Sequence, residues 1–215
     1  MTNINKDTKI YCSFSNNPGN NGCEFFNKCF KEKNLNSIYK SFYSDDLEQS
    51  IKSAKHLAFS GFAISSPFKI QVINFLDEVT EDVNNIGSCN TVLINNDILI
   101  GYNTDVYGVR RYFDDVKLKT DLIYIIGDGG FAKAVQHVCK DMSINYKTIS
   151  RGLKNWETIK TLENETLFNA TPIDIDYKNN VLIDARPFTE EGKKIARYQA
   201  MKQFKLYTGI DYESQ

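Results

Sequence analysis

Apolar residues in the first half of the chain follow two alternating patterns: short continuous runs, and segments in which they recur every three to four positions. The runs are typical of strands and the spaced segments of amphipathic helices. On this basis strands are predicted at residues 9–14, 37–43 and 61–64, and helices at residues 23–33 and 46–59. Two further runs, at residues 89–94 and 98–102, flank Asn95-Asn96-Asp97 and predict a hairpin, after which a helix is predicted to begin near Thr104.

The second half of the chain repeats this alternation from Asp121 onward. Residues 122–126 are apolar without a break, which is typical of a strand buried on both faces of a sheet. After them the sequence predicts a helix to about residue 142, strands at residues 146–149, 165–168 and 181–183, and a last helix at residues 190–207. Strands that alternate with helices in this way predict α/β layers around a mostly parallel sheet.

Charge and composition exclude several classes of function. Lys and Arg total 26 against 27 Asp and Glu, and like charges do not cluster, so we expect no nucleic-acid partner and no anionic membrane surface as partner. The first eight residues are polar and no run of about 18 apolar residues exists, so we expect no membrane segment and a cytoplasmic protein. The five cysteines and two histidines lack the spacing of zinc or redox motifs, so we expect no metal and buried cysteines.

A glycine-rich turn separates the predicted strand 122–126 from the helix after it. Its residues, Gly127-Asp128-Gly129-Gly130-Phe131-Ala132, fit the pattern G-x-G-x-x-A. In dinucleotide-binding folds this pattern makes a tight turn, lets the backbone approach a pyrophosphate and packs the helix on the strand. The amides at the start of the helix then face the phosphates. A structural glycine turn is the alternative.

The next predicted strand ends at Ile149-Ser150-Arg151, and Lys154 follows closely. A NAD site usually carries Asp or Glu about 20 residues after the glycine turn, where the acid binds the ribose 2′-hydroxyl. A cation at this position suits a 2′-phosphate, because a guanidinium can donate two parallel hydrogen bonds to phosphate oxygens. The residues therefore favour NADP over NAD, with a solvated basic loop as the alternative.

Two polar segments are candidates for chemistry. Ser65-Ser66-Pro67-Phe68-Lys69 predicts a helix start, with Ser66 as N-cap and Pro67 in the first turn. Lys69 would then occupy a place where the helix dipole disfavours a cation, so that its proton would be easier to transfer; a side chain that extends to water is the alternative. Gly101-Tyr102-Asn103-Thr104-Asp105 leads into a helix, which Thr104 and Asp105 would cap unless they bind a ligand.

Together these segments resemble the shikimate dehydrogenase family. S-x-P-x-K, the N-T of Asn90-Thr91, G-Y-N-T-D and G-x-G-G-x-x-x-A follow one another as in that family. Residues 169–172 match its N-A-T-P, and residues 199–204 match its Q-A-x-x-Q-F. The resemblance covers nearly the whole chain and is greatest to the shikimate dehydrogenase-like branch, of which this chain would be a shortened, divergent member.

The resemblance implies two domains and a reaction. A mixed-sheet α/β substrate domain is expected at residues 1–104, completed by a C-terminal helix at 190–215, and a Rossmann-type, doubly wound NADP-binding domain at residues 105–189. The family transfers a hydride reversibly between NADPH and the ring ketone of 3-dehydroshikimate, which gives shikimate on the pathway to the aromatic amino acids. The expected partner is therefore a small molecule, shikimate or a related hydroxylated cyclic acid; the sequence does not predict an oligomeric state.

The resemblance also assigns roles to single residues. Lys69 matches the catalytic lysine and Asp105 the aspartate that pairs with it and orients the substrate hydroxyl. Substrate-binding positions are matched by Asn90 and Gln199, and by Ser65 where the family usually has threonine. The residues expected at the cofactor are Gly127, Gly129, Gly130, Phe131, Ala132, Ser150, Arg151, Lys154, Asn169 and Thr171.

Two departures from the family pattern leave a second hypothesis open. Counted back from Phe26-Asn27-Lys28-Cys29-Phe30, the two serines that bind the substrate carboxylate are replaced by Asn20, which can supply one hydrogen bond, and by Gly22. A strand and a glycine-rich loop before the last helix are missing as well. Retention of Lys69 and Asp105 favours an enzyme that is slow or has a shifted substrate. The losses favour a remnant that binds a nucleotide or a cyclic acid without turnover.

Overall fold

The computed structural model describes residues 4–212 and divides the chain into two compact units. The first unit consists of the chain up to Thr104 together with the part from Ala200 onward, and the second unit is Asp105–Gln199. The last helix therefore belongs to both units, because it begins in the second and ends in the first. Which unit binds substrate and which binds cofactor stays a prediction.

The first unit is built on a mixed sheet of six strands. Its elements are β1 Lys9–Ser15, α1 Asn21–Glu32, β2 Ser37–Tyr43, α2 Leu47–His56, β3 Gly61–Ile64, β4 Glu78–Val79, α3 Glu81–Ile86, β5 Thr91–Asn95 and β6 Ile98–Tyr102. The strands lie in the order β2-β1-β3-β5-β6-β4, with β1 parallel to β2 and β3, and β5 antiparallel to β3 and β6. The hairpin predicted around Asn95-Asn96-Asp97 is thereby confirmed.

The second unit contains a parallel sheet of four strands. Its elements are α4 Thr104–Asp115, β7 Leu122–Ile126, α5 Gly130–Asp141, β8 Asn145–Ile149, β9 Thr166–Asn169, β10 Val181–Asp184 and α6 Glu190–Thr208. The strand order is β10-β9-β7-β8, so the chain moves from β7 to β8 on one side and then crosses to β9 on the other. Such a switch point, at the carboxyl ends of the strands, is where open α/β sheets bind ligands. The predicted fold class is confirmed.

An aromatic cluster holds the end of α6 in the first unit. The ring of Tyr207 stacks on that of Tyr11 with the centroids 4.5 Å apart, and the Tyr11 hydroxyl donates to the Tyr207 carbonyl at 2.7 Å. Phe204 is fully buried and packs beside Phe30 of α1. Burial of several aromatic rings is worth kilocalories per mole, so this cluster fixes where the end of α6 lies in the first unit.

Three details differ from the sequence prediction. The short elements β4 and α3 were not predicted, because two and six residues are too few to show a period. Cys23, in the first turn of α1, is half-buried rather than buried, and its sulfur accepts a hydrogen bond from the Ser41 backbone amide at 3.2 Å. The helix predicted to begin at Ser66-Pro67 does not form; only a 3-10 helix is present nearby, at Gln71–Phe75.

The short connection between β10 and α6 depends on a glycine in the first turn of α6. A Cβ built at Gly192 would lie 1.8 Å from the carbonyl oxygen of Arg186 and 2.6 Å from its carbonyl carbon. Both atoms belong to the backbone and cannot rotate away. The chain can thus pass from Asp184 into a helix within a few residues only because position 192 has no side chain.

We expect Gly192→Ala to lower the free energy of unfolding by at least about 3 kcal/mol, because a methyl group would displace backbone atoms in a packed region. Urea denaturation followed by circular dichroism measures the change. Lys193→Ala, at an exposed neighbouring position of the same helical turn, is the matched control and should stay within about 0.5 kcal/mol of the parent chain. Equal stability of the two variants would show that the first turn of α6 can move.

Candidate active site and cofactor site

The segment Ser65–Lys69 follows β3 directly and is held by the sheet. The Ser65 amide donates to the Phe14 carbonyl at 3.2 Å, and the Lys69 carbonyl accepts from the Cys89 amide at 2.8 Å. The predicted α-helix would have used the Lys69 carbonyl for its own hydrogen bonds, and here Cys89 takes that carbonyl instead, so the prediction of a helix was wrong. Lys69 is half-buried, and the helix-dipole argument for its chemistry no longer applies.

Three predicted substrate-site residues of the first unit meet at one end of its sheet. Ser65 stands just beyond the last residue of β3, whose amide donates to the Asn90 carbonyl at 2.8 Å. Lys69 is tied by its carbonyl to Cys89, the residue before Asn90. Hydrogen bonds of the backbone therefore place Ser65, Lys69 and Asn90 in one neighbourhood, although 25 positions of sequence separate the first from the last.

The side chain of Asn90 orders the start of α4. Its amide oxygen accepts from the Thr104 backbone amide and from the Thr91 hydroxyl, both at 2.8 Å, and its amide nitrogen donates to the Thr104 hydroxyl at 3.0 Å. Asn90 is 4% exposed and Thr104 is 1% exposed. Asn90 therefore has a structural role beside the binding role expected for it.

Gln203 extends this buried polar chain to the last helix, a role that the sequence did not indicate. Its amide nitrogen donates to the Thr91 hydroxyl at 2.8 Å, and that hydroxyl donates onward to Asn90. The second glutamine of Q-A-x-x-Q-F was a usable signal, but only the fold shows what it contacts.

The remaining predicted residues of the active site are placed as follows. Asp105 is the second residue of α4 and is buried, with 1% of its surface exposed. Gln199 is half-buried, and its Cγ would be 2.4 Å from a Cβ built at Gly108, so it packs closely on α4 within the second unit.

Asn20 and Gly22 flank the start of α1. The exposed Asn20 donates from its amide nitrogen to the Glu24 carboxylate at 2.6 Å. A Cβ at Gly22 would be 3.0 Å from the ring of Tyr39, which is itself stacked on Phe26 with the centroids 4.5 Å apart. A serine at position 22 would therefore crowd a packed ring.

In the second unit, the glycine turn lies at the switch point of the parallel sheet. Gly127 has a φ of +120°, a conformation that side-chain-bearing residues rarely adopt. Its amide donates to the Ile149 carbonyl at 2.8 Å, and a Cβ at this position would be 3.1 Å from Thr171 Cγ2. The turn is thus enclosed by the ends of β8 and β9, and Asn169 and Thr171 lie beside it.

The start of α5 offers open space for a ligand. Nothing lies within 4 Å of a Cβ built at Gly129, the N-cap of this helix, and no side chain caps it. The next residues pack inward: Ala132 is 1% exposed, and the Phe131 ring contacts Phe168 with the centroids 6.0 Å apart. Uncapped amides at a helix start, in an open position, are suited to bind phosphate.

The loop after β8 is built by Asn155, which was not predicted. Its side-chain oxygen accepts from the Ser150 amide at 2.9 Å, and its nitrogen donates to the Thr148 carbonyl at 2.9 Å. The Ser150 hydroxyl accepts from the Leu153 amide at 3.0 Å, so it stabilises the loop itself. Lys154 is exposed and has a φ of +56°.

Arg151 lies on an aromatic surface. Its guanidinium carbon is 5.1 Å from the ring centre of Trp156, within the range of a cation–π contact. The side chain is exposed and is oriented by the indole rather than by a carboxylate. Trp156 is the only tryptophan in the sequence, which was a signal that the sequence reasoning did not use.

A charged network closes the end of β9 and β10. Arg186 Nε donates to Asp184 Oδ2 at 2.8 Å, and Arg186 Nη2 donates to Asp174 at 2.7 Å. Asn169 joins the network from β9, with its amide nitrogen 3.3 Å from Asp184 Oδ1, and its oxygen accepts from the Thr171 amide at 3.0 Å. The hydrogen bond that Arg186 donates to Asp184 raises the pKa of Arg186 above its ordinary value. The network therefore orders Asn169 and Thr171.

Residues 4–212 contain neither a cluster of metal ligands nor a membrane-spanning helix. No group of three or more His, Cys, Asp or Glu side chains is arranged to hold a metal ion there. In the same part of the chain, none of the helices is both long and apolar enough to cross a membrane.

Known proteins resemble this chain in sequence. The family model for the shikimate dehydrogenase substrate binding domain matches residues 22–92. A shikimate dehydrogenase-like protein of Haemophilus influenzae is 34% identical over 169 residues, which are 78% of this chain and 62% of that protein. This chain thus spans about six tenths of the length of that relative.

Solved structures resemble it in fold. A shikimate 5-dehydrogenase-like protein superposes with a TM-score of 0.80 at 28% identity, over 98% of this chain and 95% of that one. A shikimate dehydrogenase in complex with NADP+ superposes with a TM-score of 0.77 at 26% identity, over 97% and 92% of the two chains.

The role of Asn90 in the fold can be measured apart from any activity. We expect Asn90→Ala to lower the free energy of unfolding by about 2 kcal/mol or more, because the buried Thr104 amide and Thr91 hydroxyl lose their acceptor. Asn95→Ala, an exposed position at the end of β5, is the control and should change it by less than about 0.5 kcal/mol. Chemical denaturation of both variants tests this; equal values would mean that water or another group replaces the amide.

Proposed function

We propose that this chain is an NADP-dependent oxidoreductase acting on a shikimate-like cyclic acid. The chain belongs to the shikimate dehydrogenase family, and the proposal starts from that membership. The observation that carries the proposal lies in the second unit. A G-x-G-x-x-A turn with an open helix start stands at the switch point of a parallel sheet, and the next strand ends in a cation. The reaction would be reversible hydride transfer between NADPH and the ring ketone of 3-dehydroshikimate, which gives shikimate for aromatic amino acid biosynthesis.

The cofactor would be held by groups that fit its phosphates. Gly127 and Gly129 leave the backbone accessible, and the uncapped start of α5 supplies amides for the pyrophosphate. Arg151 and Lys154 would bind the 2′-phosphate, with Ser150 supporting their loop. The other proposed cofactor contacts are Gly130, Phe131, Ala132, Asn169 and Thr171. When bound, NADPH supplies the hydride; the chain itself orients the cofactor.

The proton that accompanies the hydride would come from Lys69. In reduction of the ketone, the lysine donates a proton to the ring oxygen as that oxygen gains charge; in the reverse direction it accepts the proton. Asp105 would accept a hydrogen bond from the same hydroxyl and hold it in place. Support comes from the half-buried position of Lys69 beside Cys89 and Asn90, and from the buried Asp105 at the start of α4.

The substrate would be bound by polar side chains. Ser65 and Asn90 are proposed to bind ring hydroxyls, as is Gln199. Asn20 would donate to the carboxylate in place of one serine, although its amide now donates to Glu24. Because no side chain takes the place of the second serine, we expect the substrate carboxylate to bind weakly. The KM would then be high, or the substrate would differ from shikimate at the carboxylate.

One observation supports a second candidate function, a protein that binds a nucleotide or cyclic acid without turnover. The polypeptide runs from Asp184 almost directly into α6, and Gly192 lets the helix pack on the Arg186 backbone. The family's loop before the last helix has no counterpart there. Without it, water is less well excluded from a hydride-transfer site.

The catalytic pair can be tested by steady-state kinetics with NADPH and 3-dehydroshikimate. We expect Lys69→Ala and Asp105→Asn each to lower kcat by roughly 10²–10⁴, the usual worth of a positioned acid or base. The double variant should be little worse than the worse single variant, because groups that act as one unit are not additive. Lys31→Ala, at an exposed position of α1, is the control and should keep full activity.

Two results would contradict this assignment in different ways. Full turnover in Lys69→Ala would remove the lysine from the mechanism while leaving an oxidoreductase. No turnover in the parent chain, together with NADP binding, would favour the binding protein. In every variant the affinity for NADP should be nearly unchanged, because the proposed cofactor contacts lie elsewhere.

The cofactor preference is a separate prediction. We expect NADP to bind at least about tenfold more tightly than NAD, and Arg151→Ala to remove most of this difference, because one phosphate–guanidinium contact is worth roughly 1.5–3 kcal/mol. Calorimetric titration of both dinucleotides measures it. Arg197→Ala, an exposed arginine of α6, is the control. Equal affinity for the two dinucleotides in the parent chain would contradict the prediction.

A further inference from the structure

Asp128, the second residue of the glycine turn, places its carboxylate against the loop after β8. A Cβ built at Gly152 would be only 2.5 Å from Asp128 Oδ2 and 3.6 Å from the Ser150 hydroxyl oxygen. The backbone holds the two segments together, because the Gly127 amide donates to the Ile149 carbonyl at 2.8 Å. A carboxylate therefore lies within the loop to which the 2′-phosphate contact has been assigned.

The Asp128 carboxylate forms no ion pair with the cations of this loop among residues 4–212. The guanidinium of Arg151 lies over Trp156, 5.1 Å from the ring centre, and among the described residues no ion pair joins Asp128 to Arg151 or Lys154. Asp128 and Arg151 are both exposed. An exposed acid and an exposed cation are thus both present at this loop.

We propose that Asp128 is a specificity-determining residue at the adenosine ribose. It lowers the preference for NADP over NAD, so that the chain also uses NAD. In NAD-binding folds a carboxylate at the end of the second strand accepts from the ribose 2′-hydroxyl. Here that position is Ser150, and the carboxylate reaches the same loop from the glycine turn instead. The acid accepts from the hydroxyl of NAD and repels the phosphate of NADP, while Arg151 does the opposite. The inference rests on the proposed cofactor function.

The test is titration of the full-length chain and its Asp128→Asn variant with NADP and with NAD. Removing the negative charge should tighten NADP about tenfold, the effect of one nearby charge in a hydrated site. The affinity for NAD should stay the same or fall, so the preference for NADP rises at least about tenfold. The same titrations with adenosine 2′,5′-bisphosphate and AMP isolate the ribose end from the nicotinamide.

The matched control is Asp121→Asn, which makes the same change of charge just before β7, at the opposite end of that strand. Asp128→Ser serves as a second variant if the amide disturbs the turn. This inference alone is overturned if Asp128→Asn tightens the binding of both dinucleotides equally, or if it leaves the preference for NADP unchanged. An equal effect of Asp121→Asn would overturn it as well. A parent chain that binds neither dinucleotide overturns the proposed cofactor function, and this inference with it.

Discussion

The buried amide of Asn90 connects the elements on which the first unit's candidate site depends. Its oxygen accepts from the Thr104 amide and the Thr91 hydroxyl, and through Thr91 it is linked to Gln203 of α6. A buried amide that lost these partners would cost free energy, so its hydrogen bonds hold Thr91, Thr104 and Gln203 in one arrangement within the first unit. The Lys69 carbonyl accepts a hydrogen bond from the amide of Cys89, the residue before Asn90, and Asp105 directly follows Thr104 in the chain. A residue expected only to bind substrate thus also positions the groups around it.

In the second unit, glycines that let backbone segments approach closely hold the elements of the candidate cofactor site in place. Gly127 lets the turn pass between the ends of β8 and β9, and Gly192 lets α6 begin directly after β10. The network of Arg186 with Asp184 and Asp174 stands at the short connection between β10 and α6. Short connections leave little freedom to rearrange, so the surface offered to a cofactor is set by the packing of these glycines and by the charges around them.

Those charges give the candidate cofactor site a mixed character. Arg151, oriented by Trp156, attracts a phosphate, whereas Asp128 opposes it and suits a hydroxyl. The preference between two dinucleotides is a difference of affinities, so both contributions count. A site with only the cation would discriminate more strongly than one that has both.

The sequence by itself determined the order of strands and helices, because long apolar runs and helical periods are local signals. It also indicated the family, because the order of the motifs is a signal that the sequence itself carries, whereas the roles of Lys69, Asp105 and Arg151 stay predictions. It did not determine the path of Ser65–Lys69, where hydrogen bonds to β1 and Cys89 replaced a predicted helix. Nor did it indicate the contacts of Gln203 with Thr91, of Asp128 with the Gly152 loop, or of Gly192 with Arg186. Each of these contacts joins segments far apart in sequence or depends on the direction of one side chain, and such proximity exists only once the chain is folded.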